Sequence, residues 1–160
     1  MHSSHRHADR SAFEAHLECP EMKEFRTKAT GLIKQTTVKL ATPMAQSFLR
    51  PPSELEPGLT ITASIEYAET ADMEDVLAKS AQLIAHTRAN EPRTQSYCWA
   101  VEEGNPRTIL VFEQFETPEF CFEAHMKTAP FIAATSAETE GLVATPTFSK
   151  REFGFVGGWM

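Results

Sequence analysis

The sequence predicts an α+β fold, one ferredoxin-like βαββαβ unit preceded by a shorter appendage, on three observations. Between Leu59 and about Phe155 the apolar patterns run strand, helix, strand, strand, helix, strand, the order of an antiparallel sheet with two helices packed on one face. The tetrapeptide Phe-Glu-Ala-His occurs twice, at 13–16 and 122–125, and the match continues from Pro20, Gly31 and Leu32-Ile33 onto Pro130, Gly141 and Leu142-Val143 once one residue is inserted before Pro130. A tetrapeptide that brings a proline, a helix-ending glycine and an apolar pair with it reads as a partial internal repeat. The only Pro-rich stretch, PPSELEPG at 51–58, reads as a linker between appendage and main domain.

Residues 1–10 are polar and aperiodic, and a largely disordered tail is expected there. The tail holds His2, His5 and His7, but a closed metal site needs further fixed ligands, so no metal is expected. Residues 11–50 form the partial repeat. Phe13, Leu17, Met22 and Phe25 fall near helical spacing from Ser11 to about Ala29, with a bend or restart at Pro20 and a stop at Gly31. Thr36 to Leu40 then alternates as a strand.

Residues 59–160 form the main domain. Leu59 to Tyr67 alternates β-branched and small residues, as a strand does. Thr70 or Asp72 caps a helix with Met73, Val76, Leu77, Leu83 and Ile84 on one side, ending near Asn90-Glu91-Pro92. The runs Thr94–Glu102 and Thr108–Phe115 flank a short polar turn, which is a hairpin signal. Thr117-Pro118 opens the second helix, with proline at a first-turn position where its missing N–H costs nothing. The second Phe-Glu-Ala-His therefore falls near the start of a helix running to Gly141, and Ala144 to about Phe155 is the fourth strand.

At 160 residues, 41% of them hydrophobic, the chain has enough apolar surface for a core. Its 22 acidic against 15 basic residues give a net charge of −7 with no clustered Lys/Arg stripe, which speaks against nucleic acid or an anionic membrane as partner and for a small neutral or aromatic ligand. No apolar run approaches the roughly 18 residues that span a bilayer, and Met1 is followed by HSSHRHADR, so a cytoplasmic location is expected. Cys19, Cys98 and Cys121 make neither a disulfide framework nor a zinc pattern, and reduced, buried thiols are expected. The sequence has no Gly-rich phosphate loop, dinucleotide fingerprint, nucleophile elbow or cluster of metal ligands, so catalysis without metal or cofactor is expected.

The stretch HTRANEPRTQSYCWAVEEGNPRTILVFEQFETPEFCFEAHMKTAPF, His86 to Phe131, carries further signs. It has a helix ending in an acidic-Pro turn, Glu91-Pro92. One strand holds Tyr97 and Trp99, a second ends Phe112-Glu113-Gln114-Phe115, and a helix bears Phe122 and His125 as F-x-x-H. In these the chain, from about Leu59 to Phe155, resembles the antibiotic biosynthesis monooxygenase family of the dimeric α+β barrel superfamily. It departs in having Ala129-Pro130-Phe131 where family sequences often carry Ser-Pro-His, and Arg93 where a glycine follows the acidic-Pro turn. The resemblance implies a homodimer, in which the sheet faces without helices pack together across a two-fold, as a bare apolar face would otherwise require. It also implies that the C-terminal strand and its aromatics Phe153, Phe155 and Trp159 reach over the partner.

Two residues stand out for proton chemistry. His125, beside Phe122, Met126 and Ala129 and one turn after Cys121, is a titratable imidazole at an apolar edge, fit to take a proton from a phenol or hydroquinone or to bridge strands. Glu113, between Phe112 and Phe115, is a strand carboxylate that needs a partner or a raised pKa; it is a general base, a partner to His125, or a structural hydrogen-bond acceptor. Tyr97 and Trp99 share a strand face and can stack on an aromatic substrate or fill the core. Phe112, Phe122 and Phe131 extend this aromatic set. His86 and Arg88 end a helix, where cations suit the dipole, and can also line a pocket mouth.

The resemblance implies a cofactor-independent monooxygenase acting on an electron-rich aromatic, such as an anthrone, a hydroquinone or a polyketide-like compound, in secondary metabolism. The alternatives are a cofactor-free non-oxidative enzyme (decarboxylase, cyclase or isomerase) on a similar substrate, and a non-catalytic binding or assembly protein, to which the half-repeat lends support. A haem-degrading role fits less well, because Thr62 and Ser64 stand where such enzymes resemble one another in carrying Asn.

Overall fold

The structure, a computed structural model, describes residues 7, 9–32, 39–51, 57–141 and 149–151. It divides into two compact units, residues 1–38 and 39–160.

The first unit holds two helices, α1 (Arg10–Glu18) and α2 (Pro20–Ala29). Asp9 caps α1 by accepting from the Ala12 N–H at 2.8 Å. Cys19 is extended because proline excludes the helical conformation from the residue before it, and Pro20 restarts the chain at the first position of α2. Gly31 follows with φ +89°, the left-handed conformation that closes a helix and that only glycine adopts freely. The bend at Pro20 and the stop at Gly31 are those the sequence predicts. Neither helix buries a residue.

The second unit is an antiparallel sheet with helices. Its strands are β1 (Ala41–Pro43), β2 (Phe48–Leu49), β3 (Leu59–Glu66), β4 (Thr94–Glu102), β5 (Thr108–Phe115) and β6 (Ser149–Arg151), in the order β1-β4-β5-β3-β6 with β2 also on β4. The inner order β4-β5-β3-β6 is that of the predicted ferredoxin-like unit, and these strands pair antiparallel throughout. The helices are α3 (Met73–Asn90), α4 (Pro118–Glu123) and α5 (Ala129–Gly141), with a 3-10 turn His125–Lys127 between the last two. Asp72 caps α3 through the Glu74 and Asp75 N–H groups, and Thr117 caps α4 through the Phe120 N–H.

Strand register decides what faces the helices. Tyr97 lies opposite Glu113, Trp99 opposite Val111, and on the other side Ile61 opposite Glu113 and Leu59 opposite Phe115. Directly paired residues share a face, so these alternations put Tyr97, Trp99, Val111, Glu113, Phe115, Leu59 and Ile65 on one side. That side also receives Val76, Leu83 and Ile84 of α3, Cys121 of α4 and Ala134 of α5, and the apolar residues among them form one buried cluster. The other face carries Thr60, Thr62, Leu110, Phe112, Gln114 and Cys98, half-buried.

Two expectations are corrected. The second Phe-Glu-Ala-His does not open a continuous helix: it straddles the end of α4, and the predicted single helix is three pieces. The predicted boundary at 51–58 gives way to one between 38 and 39, because β1 and β2 hydrogen-bond to β4 and so belong to the main sheet. Of the strand predicted at Thr36 to Leu40, residues 36–38 lie outside the described residues, and Lys39 and Leu40 lead into β1. Of the predicted fourth strand, Ser149–Arg151 is described and pairs with β3; Phe153, Phe155 and Trp159 lie outside the described residues.

Candidate active site

Where α3 ends, an acidic residue meets the buried face of the sheet. A carboxylate at a helix C-terminus opposes the helix dipole, so its presence calls for another partner, and Glu91 has one. Its Oε2 lies 2.8 Å from Nδ1 of His125, and Nε2 of the same ring lies 3.1 Å from the Tyr97 hydroxyl. Thr94 Oγ1 donates to Glu91 Oε2 at 3.2 Å and Thr87 Oγ1 approaches Oε1 at 3.4 Å. All three members of the Glu91–His125–Tyr97 chain are buried, at 6%, 1% and 0% exposure.

The carboxylate settles the tautomer. Burial pushes the Glu91 pKa up, but the hydrogen bond and charge of His125, the Thr94 hydroxyl and the charge of His86 outweigh it and hold the group below its ordinary 4.5. Ionised Glu91 only accepts, so Nδ1 of His125 donates to it; in the neutral ring Nε2 is then the acceptor for the Tyr97 O–H.

A second buried carboxylate lies one cross-strand pair away. Glu113 Oε1 accepts from the Trp99 indole Nε1 at 3.0 Å, and Trp99 stacks on Tyr97 with ring centroids 5.9 Å apart. Cys121 feels both acids: burial, with the charges of Glu113 and Glu91, pushes its thiol up to about 12. It is therefore a neutral filler near neutral pH.

Of the residues singled out from the sequence, His125, Tyr97, Trp99, Glu113 and Phe131 come together. Phe131 meets the His125 ring edge-on at 5.1 Å. The partner of His125 is Glu91 rather than Glu113. Phe112 alternates to the other sheet face beside Thr62 and Cys98, Phe122 is 44% exposed, and His86 lies on α3 against Asn90 at 3.2 Å. Sequence reasoning took Glu91-Pro92 as a helix stop and as a mark of the family resemblance, and missed Glu91 as a candidate site residue. Its signal was the unfavourable charge at that end of the helix. Among the described residues no group of three or more His, Cys, Asp or Glu side chains is placed to hold a metal ion, and no helix is long and apolar enough to cross a membrane.

Residues 59–137, which contain the whole of the Glu91–His125–Tyr97 chain, match the family model for antibiotic biosynthesis monooxygenase. The chain carries an antibiotic biosynthesis monooxygenase domain. No curated protein matches it. Solved structures that share the domain's fold include a candidate monooxygenase from Lactobacillus acidophilus NCFM, at TM-score 0.68 and 16% identity, over 89% of this chain and 64% of that one. A candidate antibiotic biosynthesis monooxygenase from Caulobacter crescentus CB15 matches at TM-score 0.53 and 17% identity, over 62% of this chain and 92% of that one. An anthrone oxidase-like protein matches at TM-score 0.51 and 14% identity, over 88% of this chain and 65% of that one. This chain thus spans somewhat under two thirds of the length of the Lactobacillus protein. The family match covers residues 59–137, and these neighbours, at 14–17% identity, share the fold.

Proposed function

We propose that this protein is a cofactor-independent monooxygenase acting on a small electron-rich aromatic of the anthrone, hydroquinone or polyketide-like kind, in secondary metabolism. The observation that carries the reading is the buried Glu91–His125–Tyr97 chain set among Trp99, Phe115 and Phe131 in an antibiotic biosynthesis monooxygenase domain. Such a substrate supplies its own reducing electrons, and the protein supplies a base, a dry aromatic layer and orientation. As the substrate loses a proton, Tyr97 accepts it while passing its own to Nε2, and the Glu91 carboxylate balances the imidazolium. The substrate anion gives one electron to dioxygen. The radical and superoxide combine to a peroxide, and loss of water turns a ring CH₂ into C=O, one O₂ consumed per carbonyl and water formed. Glu113 is a second candidate base in the same layer, and its bond to Trp99 orients the indole. His86, Phe112 and Phe122 are proposed contributors to substrate binding from outside this chain of contacts.

The protein works as a homodimer in this reading, joined through the sheet face bearing Phe112, Leu110 and Thr62, and in the cytoplasm, where the thiols of Cys19, Cys98 and Cys121 stay reduced. A binding or assembly role draws on a different observation: both ring nitrogens of His125 are engaged within the protein. Oxygen uptake with a panel of anthrones and hydroquinones decides among these readings. Uptake matched one-to-one by product and lost in Tyr97→Phe supports the oxygenase. Product formed at full rate without oxygen establishes the decarboxylase, cyclase or isomerase alternative. Ligand binding that survives both His125→Ala and Glu113→Gln, with no turnover of any compound, establishes the binding protein.

A further inference from the structure

The segment 39–50 lies outside the matched domain, yet it reaches both ends of the proton chain. Phe48 is buried and sits opposite Tyr97 in the β2–β4 register, its ring stacked on that of Tyr97 at 6.3 Å and 25°. Two residues on, Arg50 fastens the turn that carries Glu91. Its Nε donates to the Thr94 carbonyl at 2.9 Å, and Nη2 donates to the Arg88 carbonyl at 2.8 Å and toward that of Glu91 at 3.4 Å. The guanidinium lies 4.9 Å above the Phe48 ring, so one cation caps the C-terminus of α3 and braces the aromatic that packs on Tyr97.

The same segment also fixes the strand between them. Met44 N–H and Ser47 Oγ donate to the Trp99 carbonyl at 2.8 and 2.9 Å, Trp99 N–H donates back to Ser47 Oγ at 3.0 Å, and Arg50 N–H donates to the Gln95 carbonyl at 2.8 Å. Backbone groups of β4 on either side of Tyr97 are thereby held by residues 44–50. At the far end of the segment Lys39 pairs with Glu102 at 3.0 Å, remote in register from Glu91.

We infer that Phe48 and Arg50 are positioning residues of the candidate active site: Phe48 sets the Tyr97 ring, Arg50 sets the turn from which Glu91 reaches His125, and the chain of proton partners is assembled only with segment 39–50 docked on β4. The consequence for catalysis rests on the proposed function, whereas the positioning itself does not. The test therefore reads the His125 Nδ1 proton, which is detectable whether or not a substrate is found. In the full chain with isotope-labelled histidine, that proton is expected as a downfield, slowly exchanging NMR signal, since it is buried and bound to a carboxylate.

Arg50→Met keeps the apolar stem over Phe48 and removes the donors; it should speed exchange of this proton with solvent by about tenfold or more. Arg50→Lys should restore part of the protection, and Phe48→Leu should move the Tyr97 ring signals. Lys39→Met is the control: it loosens the same segment at its other end and should leave the His125 proton unchanged. Should Arg50→Met fail to fold, Arg50→Lys and Phe48→Leu report on the same signals. A His125 proton unmoved by every Arg50 and Phe48 variant that folds, or moved equally by Lys39→Met, overturns the inference and leaves the segment a general stabiliser. Absence of oxygen uptake alongside the expected NMR pattern would count against the proposed function alone.

Discussion

The two copies of Phe-Glu-Ala-His have the same four residues and opposite fates. In the first, at 13–16, the motif lies inside the regular helix α1, none of it is buried, and the His16 ring lies beside that of His7 at 5.1 Å. In the second, the motif crosses the end of α4, and His125 enters a 3-10 turn at 1% exposure with Glu91 and Tyr97 on its two nitrogens. The glutamates behave alike: Glu14 pairs with Arg10 and Glu123 with Lys127, both exposed ion pairs worth little. What separates the histidines is therefore not the motif. One residue more lies between His125 and Pro130 than between His16 and Pro20, and the second copy has a sheet beneath it. Each residue turns a helix by about 100°, so one inserted residue redirects whatever side chain stands at the break.

Removing the imidazole should expose the contrast most. His125→Ala leaves an ionised carboxylate and a phenol buried without their partner, a loss of about 3–5 kcal/mol, whereas His16→Ala should stay within about 0.5 kcal/mol; urea unfolding of the two variants measures both. Equal costs would mean that the buried network adds nothing over a helix site without burial. Deleting Lys127, which is exposed and bonds Glu123, gives the second copy the spacing of the first. It should cost a similar amount, about 3 kcal/mol, if the extra residue is what turns His125 inward. A deletion that leaves stability unchanged breaks that explanation.

Glu91 sharpens the contrast through pH. Its folded pKa is lowered from 4.5, so the stability it contributes is present above that value and is lost as pH falls through the lowered one. Glu91→Gln should cost about 1–3 kcal/mol near neutrality, and the gap from the parent protein should close as urea midpoints are followed from about pH 7 down to about pH 3. A gap for Glu91→Gln that is constant with pH would show that the charge of Glu91 is not what holds the pair.

Much of this was legible in the sequence, and what was not has a physical cause. The limits of β4 and β5, the cap Asp72, the helix start at Thr117-Pro118, the restart at Pro20 and the stop at Gly31 are local signals, each carried by the residues that obey them. The break after Glu123 is not wholly local: Phe-Glu-Ala-His is good helix sequence, as 13–16 shows, and beside the residue inserted before Pro130 the Glu91 and Tyr97 partners favour a tight turn at His125. The same holds for β1 and β2, which are too short to read as strands and exist because β4 offers an edge. His125, Tyr97 and Trp99, which the structure brings together, could be picked as candidate site residues from their types and spacing. Glu91 and Arg50 could not, because their roles come from elements distant in sequence.

The smallest expected effect concerns the first copy. Gly31 has φ +89° and open space where a Cβ would stand, with nothing within 4 Å, so Gly31→Ala tests backbone strain without a clash. An L-residue held in that conformation costs about 1 kcal/mol, which the unit can avoid by letting the end of α2 unwind. Amide exchange should then rise by about fivefold in 20–32 and stay as it was in α4 and α5. With no buried side chain in α1 or α2, the first copy has little packing to resist the change. Exchange that rises equally around His125 would mean that the two helix pairs are stabilised together, and the first copy would then be part of what holds the second in place.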